Sequence, residues 1–401
     1  MLYTWFSYCM CSYRSSIFKK EGRCMKLKLI KKPVSLSDDD EILLNPNYRV
    51  VKVDPNEIYI THGLRSVYSY AVIDDRKLGV LGKIIDMLKQ PISVQELLSK
   101  LELSADDKQY IKSFINNLYE MGVICKADSD TITAYYRVHY ENVPDLTTKD
   151  ICIIGCGPLG IRIISTLLAL RFKSINVFDD RMFLDSEVEK SQFPLYIRRY
   201  LLSCRNYSDI IKNFIKDYEE YKTHIKVIDA TNEDSLLEVA KSSEIIVVTA
   251  EYYRPKLFND VNELAHRNGF KLLYGFIDGS IGCVGPLVIP KETACYMCFE
   301  NAFEACSVYR ENFITFKHQM MIHESERTYY ISQVTPLYDI ISGFIIDNLI
   351  RFLIGDTLPL LNRVLFLNFE SLEIEIQDFL KNPRCPVCSS LKPAHRSPME
   401  L

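Results

Sequence analysis

Two C-x-x-C pairs constrain the fold of this chain more than any other feature of its sequence. Cys295 and Cys298 form the first pair, Cys385 and Cys388 form the second, and 86 residues separate them. Two such pairs can supply four thiolates at tetrahedral angles, which is the ligand set of a structural zinc site. The separation exceeds that of a compact zinc finger, so the metal must join distant parts of the chain. Four thiolates leave no open coordination position, and we therefore predict a structural Zn²⁺.

The remaining cysteines and the charge balance indicate a soluble protein of a reducing compartment. The chain has 13 cysteines, an odd number that does not suggest a disulfide framework. Its net charge of −4 lacks the excess of positive charge that binding to nucleic acid or to an anionic membrane favours. Residues 335–354 are the most apolar helix candidate, but they include Asp339, Asp347 and Arg351. We expect a cytoplasmic protein that starts at Met25. The other thiols predicted to be buried are Cys152, Cys156, Cys204, Cys283 and Cys306.

A glycine-rich turn between a strand and a helix predicts a Rossmann-like nucleotide fold. The sequence Gly155-Cys156-Gly157-Pro158-Leu159-Gly160 follows an apolar strand at 150–154 and precedes a helix at 161–170. In this context the glycines let a phosphate approach the helix N-terminus. A second strand at 174–178 ends at Asp179, where an acidic residue commonly binds ribose hydroxyls. Further strands at 244–249 and 271–274 complete an α/β, doubly wound domain. From these residues alone, a working site and a degenerate one that binds no nucleotide remain equally open.

Residues 45–127 predict a small winged-helix domain. Strands at 48–53, 57–62 and 67–73 precede helices at 78–88, 94–101 and 105–121, with Ser93 and Ser104 as helix caps. The third helix lacks the basic face that phosphate contacts require, which favours peptide capture over DNA binding. A simple packing module also remains open. The predicted domains are an N-terminal extension at 1–44, the winged helix at 45–127, a linker at 128–148 and the α/β domain at 149–401.

Together, the glycine motif and the two C-x-x-C pairs resemble the ThiF-like, ubiquitin-activating superfamily over about residues 149–390. Its members use ATP to adenylate a carboxylate. The segments GPLVIP, TACYMC and PRCPVC look most like one branch, the leader-peptide-binding partners of azole- and azoline-forming cyclodehydratases. In that branch an N-terminal winged helix holds the leader between its third strand and third helix. The resemblance implies peptide-binding residues Val67, Tyr68, Ser69, Tyr70, Ala71, Val72, Ile73, Tyr110 and Phe114, and a homodimer.

The sequence departs from the adenylating members where they bind ATP. The resemblance places the nucleotide at Gly155, Gly157, Gly160, Asp179, Lys190 and Glu251. Active members carry Asn and Arg in a context like S-N-x-N-R-Q, whereas Glu187 replaces the Asn here and Lys190 replaces the Arg. Glutamate repels a triphosphate, and lysine lacks arginine's fork. Glu251 stands where a magnesium-binding Asp is expected. These departures weaken the case for ATP and Mg²⁺ binding.

The expected function is that of a non-catalytic scaffold. It binds a leader peptide and presents the core to a YcaO-type, ATP-dependent cyclodehydratase. The main alternative is a stand-alone peptide-adenylating enzyme of the microcin or pantocin kind. A nicotinamide-dependent dehydrogenase explains the glycine motif but not the cysteine pairs or the small domain. A winged-helix transcription factor is disfavoured by the acidic third helix.

Overall fold

A computed structural model describes residues 36–389, except 64–68, 130, 141–142, 180, 182–186, 203, 219–220, 222–223, 229–232, 324–334 and 356–357. The chain divides into two compact units, Met1–Glu141 and Asn142–Leu401. The proposed start at Met25 lies outside the described residues. Among those residues, no helix has the length and apolar character needed to cross a membrane.

The described residues of the first unit form two three-stranded sheets and four helices. One sheet has the order β2-β3-β4 and the other β5-β1-β6, with every pairing antiparallel. The strands are β1 (Glu41–Leu44), β2 (Arg49–Asp54), β3 (Glu57–Thr61), β4 (Ser69–Ile73), β5 (Ile92–Ser93) and β6 (Ile124–Lys126). The helices are α1 (Leu81–Met87), α2 (Val94–Ser99), α3 (Ala105–Glu120) and α4 (Thr131–Tyr136).

The sequence patterns locate the principal elements of this unit. The three predicted strands correspond to β2, β3 and β4, and the three predicted helices to α1, α2 and α3. Both predicted caps are present: Ser93 Oγ accepts the Glu96 N–H at 3.1 Å, and Ser104 Oγ accepts the Asp107 N–H at 3.2 Å. The winged-helix interpretation itself stays a prediction.

Two segments outside the predicted 45–127 range are structured parts of this unit. β1 lies in the predicted N-terminal extension and pairs with β5 and β6, and α4 lies in the predicted linker. Asn45 joins them, because its buried side-chain amide donates to Gly122 O at 2.8 Å and Ala134 O at 2.7 Å. β1 has only four residues and shows no clear period in the sequence, so its pairing with β5 and β6 is visible only in the structure.

The second unit is an eight-stranded mixed sheet with helices on both faces. Its order is β14-β13-β12-β11-β10-β7-β8-β9, parallel from β11 to β9 and antiparallel from β11 to β14. The strands are β7 (Asp150–Ile154), β8 (Ser174–Phe178), β9 (Ile225–Val227), β10 (Ile245–Ala250), β11 (Leu272–Asp278), β12 (Ile281–Val288), β13 (Arg363–Asn368) and β14 (Glu373–Asp378). The prediction of an α/β fold is confirmed.

The helices of the second unit begin with α5, directly after the glycine-rich turn. They are α5 (Pro158–Ala169), α6 (Glu187–Gln192), α7 (Leu195–Arg198), α8 (Tyr207–Asp217), α9 (Glu233–Ser242), α10 (Pro255–Asn268), α11 (Tyr296–Cys306), α12 (Arg310–Ile322) and α13 (Thr335–Ile354). A 3₁₀ turn at Leu146–Thr148 leads into β7. Strand order reverses between β7 and β10, which is where doubly wound sheets place their ligands.

The glycine-rich segment at 275–285, predicted as a turn, lies mostly within β11 and β12. Its glycines make room for α13. A Cβ on Gly275 would lie 2.1 Å from Ile345 Cδ1, and one on Gly282 would lie 2.2 Å from Ile341 Cδ1. Because side chains alternate along a strand, Tyr274 faces the opposite side of the sheet, where its core cluster includes residues of α10 and α11. Glycine here permits close packing of a helix on the sheet.

This packing predicts that Gly275→Ala destabilises the chain, although alanine is normally tolerated better than glycine inside a strand. The added methyl group must displace Ile345, and overpacking of this kind costs about 1–3 kcal/mol. Ile345→Val removes the opposing Cδ1 but keeps a γ carbon near the position of Cγ1, which lies 2.7 Å from the added Cβ, so the double variant should recover part of the lost stability. Urea unfolding measures both. Full stability of Gly275→Ala alone, or absence of rescue, would contradict the packing.

Candidate functional site

The four predicted zinc ligands lie together in the second unit. The Sγ atoms of Cys295, Cys298, Cys385 and Cys388 all lie within 4.8 Å of one another. Three of the separations are 3.8 Å (Cys295–Cys298), 3.5 Å (Cys295–Cys385) and 3.4 Å (Cys298–Cys388). These exceed the S–S bond length of about 2.05 Å and approach the ~3.8 Å edge of a thiolate tetrahedron around zinc, given Zn–S of about 2.3 Å. The cluster can bind a metal such as zinc.

Local structure aims the thiols at a common point. Cys295 is the N-cap of α11, and Cys298 lies in the first turn of that helix. The second pair follows β14, where the Cys385 N–H donates to Asn382 O at 3.0 Å. The Asn382 N–H in turn donates to Cys298 Sγ at 3.3 Å. A metal bound here would join the start of α11 to the chain that follows the edge strand.

The glycine-rich turn is packed tightly against the end of β10. Gly155 has φ of +109°, a backbone conformation that favours glycine. A Cβ on Gly160 would lie 1.9 Å from Gly155 O, so the turn and the first turn of α5 touch without side chains between them. The turn therefore has the close helix–strand packing of a nucleotide-binding motif.

The carboxylate of Glu251 occupies the N-terminus of α5. Its Oε1 accepts the Leu159 N–H at 3.3 Å, and a Cβ on Gly157 would lie only 2.2 Å from that oxygen. Helix N-termini favour anions because their first N–H groups have no partner within the helix. In this fold the anion would be a nucleotide phosphate. Here the chain supplies its own anion.

Arg181 links this carboxylate to the predicted ribose-binding residue. Its Nη1 lies 2.5 Å from Glu251 Oε2, and its Nη2 lies 2.7 Å from Asp179 Oδ2. The Cys156 N–H, within the glycine-rich turn, also donates to Asp179 Oδ2 at 2.6 Å. The Tyr207 ring covers the guanidinium at 4.4 Å. The three charged residues are 3–8% exposed, and we refer to Asp179, Arg181 and Glu251 as the buried charge triad.

The pKa shifts of Asp179 and Arg181 favour the charged form of each. Burial by itself would raise the pKa of Asp179, but the nearby charge and hydrogen bonds of Arg181 outweigh it, and the pKa is lowered. Burial opposes the charge on Arg181, yet both carboxylates raise the pKa of its guanidinium well above the usual value. The neighbouring Cys156 thiol has its pKa raised, chiefly by burial, and is therefore not a nucleophile at neutral pH.

Sequence reasoning placed Asp179 and Glu251 at this site but missed Arg181. The only signal for it is its position two residues after the acid that ends β8. Of the two departures from the adenylating pattern, Lys190 lies half-buried in α6, and the Glu187 side chain lies outside the described residues. α6 is linked to α5, since Arg162 Nη1 donates to Gln192 O at 3.3 Å.

In the first unit, the segment that follows β4 contacts α3. β4 pairs only with β3 among the described strands. Tyr70 and Val72 of β4 and Tyr110 and Phe114 of α3 are half-buried against one core cluster. Beyond β4, Arg76 donates to Asp106 at 2.7 Å and lies over the Tyr110 ring at 4.6 Å. The predicted contacts Val67 and Tyr68 lie outside the described residues.

Of the cysteines predicted to be buried thiols, four are buried and one is not. Cys152, Cys156, Cys204 and Cys283 are buried, whereas Cys306 is exposed. The last turn of α11 carries Cys306 toward solvent, so an apolar neighbourhood in sequence misled the prediction.

The cysteine cluster predicts one tightly bound zinc per chain. Cys388→Ser should reduce the zinc measured by elemental analysis from about one per chain to a small fraction, because thiolates provide the affinity of a four-sulfur site. Cys306→Ser is the matched control and should retain the metal. Equimolar zinc in Cys388→Ser would contradict the assignment.

The buried charge triad predicts that Arg181→Ala is severely destabilising. It leaves two carboxylates buried without their cation, and breaking a buried pair in this way costs about 3–5 kcal/mol. The difference in unfolding free energy between the wild type and Arg181→Ala should shrink at acid pH. In the wild type the lowered pKa of Asp179 contributes stability above about pH 4, and this contribution is lost as the pH falls through the pKa of the folded state. Urea unfolding measures this, with exposed Arg267→Ala as control. Equal stability of the two variants would contradict the triad.

Comparisons with known proteins agree with this architecture. Two solved structures of MccB from E. coli, one with MccA-N7isoASN and one with N-formylated MccA, match with TM-scores of 0.58 and 0.59. Each shares 18% sequence identity with this chain, and each match covers 87% of this chain. The matches cover 99% of the first MccB chain and 100% of the second. The heterocyclase TruD matches at 14% identity and a TM-score of 0.56, over 87% of this chain but 43% of its own.

The sequence comparisons identify the family. No curated protein sequence matches significantly. The ThiF family model, however, matches residues 130–388. Since this match spans more than half of the sequence, the chain belongs to the ThiF family.

Proposed function

We propose that this protein binds the leader segment of a ribosomally made precursor peptide and presents the core to a separate YcaO-type cyclodehydratase. That enzyme would use ATP to close azoline rings, which can later become azoles. In this proposal the chain itself does not use ATP. Its contribution is binding, which raises the effective concentration of the core peptide at the partner enzyme.

The observation that carries this proposal is the buried charge triad at the nucleotide position. The N-terminus of α5 is already bonded to Glu251, and the carboxylate of Asp179 is already bonded to Arg181. A triphosphate at this position would have to displace one anion and expose two ion pairs. The cost of separating buried charges is several kcal/mol. Peptide binding without nucleotide binding is therefore the activity that this geometry supports best.

The outer edge of β4, where no described strand pairs, supports the peptide-binding half of the proposal. An extended peptide can add to such an edge through its main chain, while pockets beside it select alternate side chains. Tyr110 and Phe114 supply apolar surface on α3, and Arg76, which follows β4, lies over the Tyr110 ring. The solved relatives add a parallel: MccB is a microcin C7 biosynthetic enzyme solved with N-formylated MccA. The heterocyclase TruD matches this chain over less than half of its own length.

A second candidate function is ATP-dependent adenylation of a peptide by this chain alone. It is favoured by one observation, namely that this chain covers nearly the whole length of MccB in two solved structures. For that activity Arg181 would have to leave both carboxylates, so that Asp179 could meet a ribose and Glu251 a magnesium ion. Binding of peptide would have to drive this rearrangement.

A titration with peptide and nucleotide tests both candidates. The zinc-loaded full chain should bind a fluorescent leader peptide encoded beside its gene, and Tyr110→Ala should weaken that binding about tenfold or more, as expected for a buried aromatic anchor. Val51→Ala is the control, because Val51 is exposed on β2, at the opposite edge of the same sheet. Mg-ATP should neither bind nor release pyrophosphate, with or without peptide.

The possible outcomes separate the two functions. Pyrophosphate release that depends on the peptide would establish adenylation and overturn the scaffold proposal. If Tyr110→Ala and Val51→Ala weaken peptide binding equally, the surface formed by β4 and α3 is not the peptide-binding site. Thermal unfolding of both variants accompanies the titration, so that loss of binding is not confused with loss of folding.

A further inference from the structure

The second unit contains a large cavity that the proposed function does not use. Its volume is about 620 Å³, within the range of ligand pockets. None of its lining residues belongs to the buried charge triad or the cysteine cluster. The walls come from the antiparallel half of the sheet and from α11 and α12. Seven aromatic side chains line the cavity: Tyr253, Phe276, Tyr296, Phe299, Phe303, Phe313 and Phe366.

The polar groups of this aromatic cavity are mainly carboxylates. Asp278 at the end of β11 and Glu373 and Glu375 on β14 line it, and no lysine or arginine does. In the described part of the chain, these three carboxylates form no ion pair with a basic side chain. Among the described residues, neutral groups donate hydrogen bonds to them: Ser371 Oγ donates to Glu373, and Gln377 Nε2 donates to Glu375. The cavity therefore presents uncompensated negative charge beside aromatic rings.

A fourth carboxylate, that of Glu300, is already compensated. It is 2% exposed, and it accepts the Tyr253 hydroxyl at 2.5 Å and the Asn259 amide at 3.1 Å. Lys317 Nζ lies 3.3 Å from it. Glu300 therefore orients Tyr253 in the cavity wall. By contrast, the hydroxyl of the fully buried Tyr296, which also lines the cavity, makes no hydrogen bond with the described residues.

A free strand edge lies beside the cavity. β14 is the last strand of the sheet and pairs only with β13 among the described strands. An extended peptide that added to this edge would run next to Glu373 and Glu375, and side chains of one parity would enter the cavity. The arrangement thus suits one side chain of a bound peptide.

We propose that this cavity receives an arginine side chain of a bound peptide. The proposal rests on the proposed function only in taking the ligand to be a peptide. A guanidinium stacks on aromatic faces and donates in a planar fork to carboxylates, and it is more weakly hydrated than an ammonium group. Its aliphatic stem would cover the phenylalanine rings, while its charge would meet Asp278, Glu373 and Glu375. A neutral or acidic side chain would leave these carboxylates without a cation.

The test uses N-acetyl-arginine amide and its neutral analogue N-acetyl-citrulline amide as probes. Saturation-transfer NMR on the full, zinc-loaded chain measures the affinity of each. The arginine probe should bind about tenfold more tightly, the difference expected for a cation held by aromatic faces and carboxylates. Asp278→Asn and Glu373→Gln should each weaken it several-fold, whereas Glu292→Gln, an exposed acid outside the cavity, should not.

The pH dependence provides a second readout. Asp278 is exposed at the end of β11, but the protein packed around its carboxylate on the cavity side raises its pKa. Arginine binding requires the ionised form, so affinity should fall as the pH is lowered through this raised value. In Asp278→Asn this acid limb of the profile should be lost, because the carboxyl group that produces it is absent.

The outcomes distinguish this proposal from the proposed function. Equal affinity for the two probes, or unchanged affinity in Asp278→Asn and Glu373→Gln, would overturn the arginine site. Tyr110→Ala lies in the other unit and should leave arginine-probe binding intact while it weakens leader binding. Arginine binding in a protein that binds no leader peptide would sustain the cavity assignment and reject only the scaffold proposal.

Discussion

Arg181 controls the chemical character of the glycine-rich site. Two carboxylates lie at the point where the fold places a nucleotide, and each is held by main-chain N–H groups of the turn or helix. Without a cation these carboxylates would repel each other in surroundings where charge is costly. Arg181 bonds to both and thereby fixes the position of each. The contacts of Asp179 and Glu251 with the glycine-rich turn and α5 therefore depend on this one side chain.

The cysteine cluster has a comparable organising role in the other half of the sheet. Cys295 caps α11, which carries Phe299 and Phe303 into the cavity wall. The second cysteine pair follows β14, which carries Glu373 and Glu375. Zinc bound between them would fix the distance from the aromatic wall to the acidic one. A metal with no catalytic position can in this way shape a binding site.

The sequence predicted those features that repeat or that have fixed spacing. Two C-x-x-C pairs predicted a cluster, and the glycine motif predicted a strand, a turn and a helix, all of which are present. Arg181 has no such signature, since its role depends on β8 and β10 meeting at the end of the sheet. The glycines of β11 and β12 suggested a turn because their real partners are distant in sequence: Ile341 lies 59 positions after Gly282, and Ile345 lies 70 positions after Gly275. Contacts of this kind leave no local pattern in a sequence.

The buried charge triad also bears on why a ThiF fold could lose nucleotide chemistry and keep its structure. An acidic pair at this position needs a cation, and magnesium with a nucleotide is one source of it. Arg181 is another, and because it belongs to the chain it is present at high effective concentration and never dissociates. Magnesium would have to compete with a guanidinium that makes hydrogen bonds to both carboxylates and packs against Tyr207. The same charge balance that stabilises the fold therefore opposes the cofactor, and the peptide-binding surface proposed for the first unit does not require it.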